Sequence, residues 1–399
     1  MNSSRLIHTL ITFRSVLILV LSFAGTATLG AYAQPVRPVS ATQRDLNSAL
    51  AWVDRATDEL RAVKDPQTRV RLLRELVPLH YELGNINEAG LAATEMSDLT
   101  GDSEGHVVLA LAEIRSGDIE GALRTSRSIA EPKWAALIHN AIARVKAARG
   151  DLIGARAAAA QIADATEARA SAHRSILVAE VVFDLRSIDD LLQATGHGTQ
   201  DRVASLLSVV DGVAARGDFA RAVGIAENLL QPFPSAQAKA YLSLARMFHD
   251  AGDRDRQIGM IRAAKRTCAT ITSTYERAYV LFVIGSEEVR AARRDEARET
   301  AIAGREESLK VLSSIERGIV EAMWISLLAT LGDAQEAIDA ATAARNAADL
   351  FDVEAVLSEG FASTNQLDAL ARYTSSLSTS EQRAAAYIGA ARGLRELKK

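Results

Sequence analysis

The residues able to do chemistry are few and dispersed. Carboxylates occur side by side at Asp189–Asp190 and Glu287–Glu288. General acid/base work needs two such groups facing each other across a cleft, and neighbours on one helix point about 100° apart, so solvated helix faces are the simpler reading. His106 and His139 are 33 residues apart and His173 follows 34 later. Three imidazoles repeating at that interval could form a ladder, and a metal would need nitrogen and carboxylate ligands converging near about 2 Å. No H-x-x-x-H pair places two ligands on one helix, so no metal is expected. Cys268 is the only cysteine and reads as a small buried residue rather than a nucleophile. No G-x-S-x-G, H-E-x-x-H, C-x-x-C or phosphate-binding loop is present, and no cofactor is implied. "TGHGTQ" at Thr195 opens no strand-to-helix unit and reads as a loop.

What must position these groups is a repeat. "AARGD" occurs at Ala147–Asp151 and again at Ala214–Asp218. Its Arg-Gly-Asp core suggests an adhesion signal until its neighbours are aligned. Gly84, Gly117, Gly150, Gly217, Gly252 and Gly332 are each followed by Asp or Asn, and usually by Ala four positions after that polar residue. The first three are 33 residues apart, and Gly150 to Gly217 spans 67, or two units. A degenerate copy is therefore expected near Phe183. Two further copies lack the glycine, with Ala292 and Thr364 in its place. A fixed period of this size marks stacked repeats.

Each unit reads as two helices. Tyr241, Leu244, Ala245 and Phe248 recur at i, i+3, i+4, i+7, one face of a helix A. Glycine ends that helix in the left-handed conformation, and the following Asp or Asn caps helix B. Ala89, Ala122, Ala155, Ala222, Ala297, Ala337 and Ala369 let the two helices cross closely. Gln257 takes that slot in the sixth unit, which is expected to be splayed. "AARGD" thus reads as helix end, glycine stop and helix cap.

These units resemble the tetratricopeptide repeat, from Val70 to about Leu377. The matches are the interhelical glycine, the alanine five positions later, and small residues at Ala110, Ala143, Ala245 and Gly285, with Tyr241 and Phe248 as aromatics. The resemblance implies an all-α fold, a right-handed superhelical solenoid of helix-turn-helix repeats with about nine helix pairs. It also implies a concave groove, lined by helix A, that binds a protein or peptide partner. Its groove positions carry over to Asn140, Arg144, His173, Glu180, Asp211, Lys239, Arg246, His249 and Asp250. Arg144 and Arg246 are expected on the surface of helix A.

The chain divides accordingly into a leader (1–33), a linker (34–41), an N-terminal capping helix (42–64), the array (65–377) and a C-terminal capping helix (378–399). The last begins with Ser378 and Glu381 as a capping box. Caps with polar outer faces keep a solenoid soluble. The leader has Arg5 and Arg14, an apolar stretch from Val16 and a small-x-small site at Ala31–Ala33, the pattern of a secretory signal peptide cut after Ala33. Its loss takes the net charge from −4 to −6, which gives no case for nucleic acid. The expectation is a periplasmic or secreted scaffold or adaptor that binds an envelope protein, with no membrane insertion after cleavage. The alternatives are a helical-toroid enzyme acting on envelope polysaccharide and a small-molecule binder. Trp52, Trp134 and Trp324 are the tryptophans such a saccharide site would draw on.

Overall fold

The computed structural model describes residues 43–163, 167–195, 198–345 and 352–396. The leader, the linker and the Gly196–His197 part of "TGHGTQ" lie outside them. The described residues form twenty α-helices and no strand. Helix α1 is Gln43–Ala62. Nine hairpins follow: α2/α3 (Pro66–Glu82, Ile86–Thr100), α4/α5 (Glu104–Ser116, Ile119–Ser126), α6/α7 (Pro132–Ala148, Leu152–Ala160), α8/α9 (Glu167–Val182, Ile188–Ala194), α10/α11 (Thr199–Ala215, Phe219–Leu229), α12/α13 (Pro234–Asp250, Arg254–Cys268), α14/α15 (Thr274–Arg290, Arg294–Ser308), α16/α17 (Ser314–Leu331, Ala334–Arg345) and α18/α19 (Val353–Ser363, Leu367–Ser376). Helix α20 is Ser380–Glu396.

The turn inside each hairpin follows from its sequence. The six glycines have φ between +74° and +93°, open to glycine but costly for a residue with Cβ. Asp151 N–H reaches Lys146 O, five residues back, at 2.9 Å, and Gly150 N–H reaches Ala147 O at 2.9 Å. Together these bonds satisfy carbonyls that the helix end leaves orphaned. The Asp151 carboxylate then accepts from Gly154 N–H at 2.8 Å, and Asp218 accepts from Arg221 N–H at 3.1 Å. Both acids of "AARGD" are therefore helix caps. The degenerate copies keep the geometry without glycine: Asp184, Ala292 and Asn365 have φ of 59–60°. In the last unit the left-handed residue is Asn365, not Thr364. Asn tolerates this region, whereas a β-branched residue does not.

The seven alanines at the crossing are all buried. Gln257 does not splay its unit. It is taken inside, 2% exposed, with no hydrogen-bond partner for Nε2. Leu244, Ala245 and Phe248 still share one core with Ile261, Ala264 and Cys268.

Successive first helices pack side by side, each with its own second helix against it. The second helices are not packed on one another, so they form the spread, outer layer. The ends do not follow the expected pattern of two separate caps. Helix α20 packs on α18 and α2 as a first helix would, and its second helix is α1. A tenth hairpin is thus made from the two ends of the described chain, and the array closes on itself. Helix α1 has the marks of a second helix. Its exit link buries Val63, whose N–H bonds to Leu60 O, as Ile129, Ile162, Ile271, Val311 and Leu377 do three residues back in theirs. Helix α1 keeps a polar outer face, with Asp54, Arg55, Asp58 and Arg61 exposed, whereas α20 has none between its ends because it is covered on every side. Ala49, Val53, Ala56 and Leu60 of α1 are buried, as are Ala384, Ala385, Ile388, Ala391 and Leu394 of α20. The capping box of α20 sits one residue later than expected. Gln382 N–H bonds to Thr379 Oγ1 at 3.2 Å and Thr379 N–H to Gln382 Oε1 at 3.3 Å.

Candidate functional site

The first helices line the inner face, and that face is not uniform. Away from their ends, α2, α4, α18 and α20 carry no exposed residue. Opposite the closure the wall opens. Ala170 and His173 on α8, Arg202 and Ala204 on α10, Lys239 and Arg246 on α12 and Ser286 on α14 are exposed.

Helix α12 carries the densest polar stripe. Lys239, Ser243, Arg246 and Asp250 recur at i, i+4, i+7, i+11 and share one face. Ser243 Oγ donates to Asp211 Oδ1 on α10 at 2.5 Å. Arg246 donates through Nε and Nη2 to Glu287 Oε1 on α14, at 3.2 and 2.8 Å. Glu287 is fully buried, and Arg290 lies 3.2 Å from its other oxygen. Lys239 Nζ sits 5.0 Å from the centre of the Tyr279 ring. Burial pushes the Asp211 carboxyl up to about 6, against the Ser243 hydrogen bond and the Arg246 charge. The same crowding lowers the pKa of Lys239, although its side chain reaches solvent, with Glu276 opposing the shift. Asp211 and Glu287 are recessed here, while Lys239 and Arg246 protrude.

The remaining groove residues divide. Asn140 Nδ2 reaches Ser171 Oγ on α8 at 3.4 Å, while its buried Oδ1 has no partner. Arg144 is half-buried, and His173, His249 and Asp250 are exposed. Glu180 is 6% exposed. It accepts from Arg156 on outer helix α7 at 2.5 Å and from Arg186 at 2.7 Å. Burial alone would raise its pKa, but these arginines outweigh it and hold the carboxyl low. It faces the second helices, not the groove. Ser243, Tyr279 and Glu287 were missed as site residues, although Ser243 lies on the Lys239–Arg246 stripe.

The histidines form no ladder of ligands. His106 Nδ1 is bonded to Ser97 Oγ at 3.1 Å, and His139 is half-buried with Nδ1 unpartnered and its pKa lowered by burial. Among the described residues no group of three or more His, Cys, Asp or Glu could hold a metal ion. Cys268 is buried, and burial pushes its thiol up to about 11, far from a reactive thiolate. Trp134 and Trp324 are 8% exposed, and Trp52 packs on Tyr387 at 5.3 Å between ring centres. All three are spent on packing. No described helix is long and apolar enough to cross a membrane. No protein-family model matches the chain, and no curated protein matches it.

Proposed function

We propose that this is a binding protein of the tetratricopeptide-repeat type, exported by its leader, that holds a protein or peptide partner of the cell envelope as a scaffold or adaptor. One observation carries the reading. The inner wall is sealed near the closure and accessible across α8–α14, where Lys239, Arg246 and His249 reach solvent on one helix. A concave face built on packed helices presents these groups in fixed geometry, and binding by such a surface needs no activated residue. The enzyme alternative wanted stacking platforms, and the tryptophans do not supply them.

The test is a pull-down from an envelope fraction with the mature chain. Lys239→Glu and His173→Glu should weaken capture, and the effect should shrink with added salt, because exposed charges are screened within about 8 Å at physiological ionic strength. Arg124→Glu on outer helix α5 is the control. Arg246→Glu is a poor probe, since it sets a second carboxylate against buried Glu287. If the inner-face reversals and the control behave alike, the inner face is not the binding site.

A further inference from the structure

The closure is the one joint between described helices that no connecting segment of chain spans, because its two sides are the two ends of the described chain. Helix α20 is fixed on its α18 side. Cβ atoms added at Gly389 and Gly393 would lie 2.0 Å from Ala355 O and 2.3 Å from Glu359 O, so the two backbones touch and have no slack. On its other side α20 shares one apolar core with α2 and α1, Ala384, Ala385, Ile388 and Ala391 lying in the same cluster as Leu72, Leu73, Leu76 and Val77, and a row of ion pairs borders that core. Arg71 bonds to Glu381, 2.6 Å, and to Asp352; Arg392 pairs with Glu75, and Arg395 with Glu82. Helix α1 spans this seam as a staple. Residues 63–65 tether it to α2, its apolar face is seated on α20, and Glu59 pairs with Arg383.

His80 sits under the staple. It is 2% exposed on α2, and its Nε2 lies 3.1 Å from Thr57 Oγ1 of α1. The hydroxyl proton of Thr57 is committed to Val53 O at 3.0 Å. Nε2 must therefore be the donor, which leaves Nδ1 as a bare acceptor with no partner. A proton taken up at Nδ1 would be a buried charge with an unmet donor. The groups around it offer little relief. From α1, Asp54 acts only at a distance, and Glu59 belongs to Arg383. From α3 there is Glu88, also distant, and Glu95, paired with Arg69. From α4 there is Glu104, paired with Arg74. From α20 come the arginines just named, with their own carboxylates. Tyr81 on α2 donates to Asp118 at 3.0 Å.

We propose that this seam is an acid-released latch: when His80 is protonated, α1 lifts from α20 and the ring opens between α20 and α2. The sign follows from the burial of His80, which lowers its pKa from 6.5. A base depressed in the folded state stabilises above its unfolded pKa and loses that contribution as pH falls through the folded value.

Hydrogen exchange of the mature chain at pH 7.5 and 5.0, corrected for intrinsic rates, tests this. Protection in α1 and in Ser380–Glu396 should fall by about tenfold or more at pH 5.0, while α12 and α14 keep theirs. His80→Gln should remove the difference. Equal protection of α1 at both pH values would overturn the latch. So would parallel loss in α12 and α14, which is global acid unfolding. If His80→Gln does not fold, titration of the wild-type His80 ring by NMR decides instead. A pKa at or above the ordinary value, or α1 opening at a pH unrelated to it, overturns the proposal.

Discussion

Glu59 on α1 and Arg383 on α20 are 324 positions apart in sequence and form a two-pronged ion pair, with Nε–Oε1 at 2.7 Å and Nη2–Oε2 at 2.9 Å. The pair holds Glu59 below the usual carboxylate range and raises Arg383. Both side chains are about three-quarters buried, 24% and 28% exposed, so the bond is better shielded than a surface pair. Breaking it should matter. Glu59→Arg and Arg383→Glu are each expected to lower the melting temperature, and the double exchange should recover part of the loss. A coupling energy of roughly 1 kcal/mol is expected from the cycle. Recovery will be incomplete because Arg383 also donates to Leu377 O and Ser378 O. Additive single effects would show that the ends are held by apolar packing alone.

Gly150 and Gly217 look equivalent in sequence and differ in their surroundings. Both have positive φ, +82° and +87°, so Ala at either should cost about 1 kcal/mol. At Gly150 the new Cβ would also lie 3.0 Å from Cζ of Phe183, whereas nothing is within 4 Å at Gly217. Chemical denaturation should therefore rank Gly150→Ala as the more damaging. The adjoining arginines differ in the opposite order. Arg216 lies 4.5 Å over the Phe183 ring, and its loss should cost about 0.5 kcal/mol. Arg149→Ala should be close to neutral.

Ala292 occupies a left-handed turn at φ 59°. Ala292→Gly is expected to stabilise by roughly 0.5–1 kcal/mol, since a Cβ is strained there. Asn365→Gly should gain less, because Asn tolerates that region. Equal melting temperatures for wild type and Ala292→Gly would mean the strain is relieved elsewhere.

Asp211 is the inner-face acid whose state changes near neutrality. Its pKa is pushed up to about 6 in the folded chain from an ordinary 3.8. The folded state then binds a proton that the unfolded chain has released, so this group's contribution is greatest below about 4 and is lost as pH rises through about 6. Asp211→Asn still accepts from Ser243 and carries no charge. It should raise the melting temperature at pH 8 and change it little near pH 4. A larger gain at pH 4 than at pH 8 would contradict the assignment.

Much of this protein is legible in one dimension because its information is local. A glycine tolerates positive φ and a following Asp caps the next helix, and both requirements are met within six residues. Nine turns could therefore be placed, one of them a residue off, because Thr364 aligned with glycine while Asn365 had the chemistry to take its conformation. The buried alanines were legible for the same reason. The groove residues were only half legible. Periodicity gives the face of a helix, but whether Glu180 turns to an arginine on a second helix, or Arg246 to a buried Glu287 on a neighbour, depends on the packed array.

The closure lay beyond that reach. Alone, Gln43–Ala62 and Ser380–Glu396 are each an amphipathic helix of no evident partner, and the economical reading of such helices at the ends of an array is two caps. Only the summed rotation of nine hairpins brings the ends together, and that sum is a property of every interface and of no single segment. Once together, two faces that would have had to be polar could be apolar. The alanines of α20 and the Gly389–Gly393 contact record a neighbour that the sequence does not name.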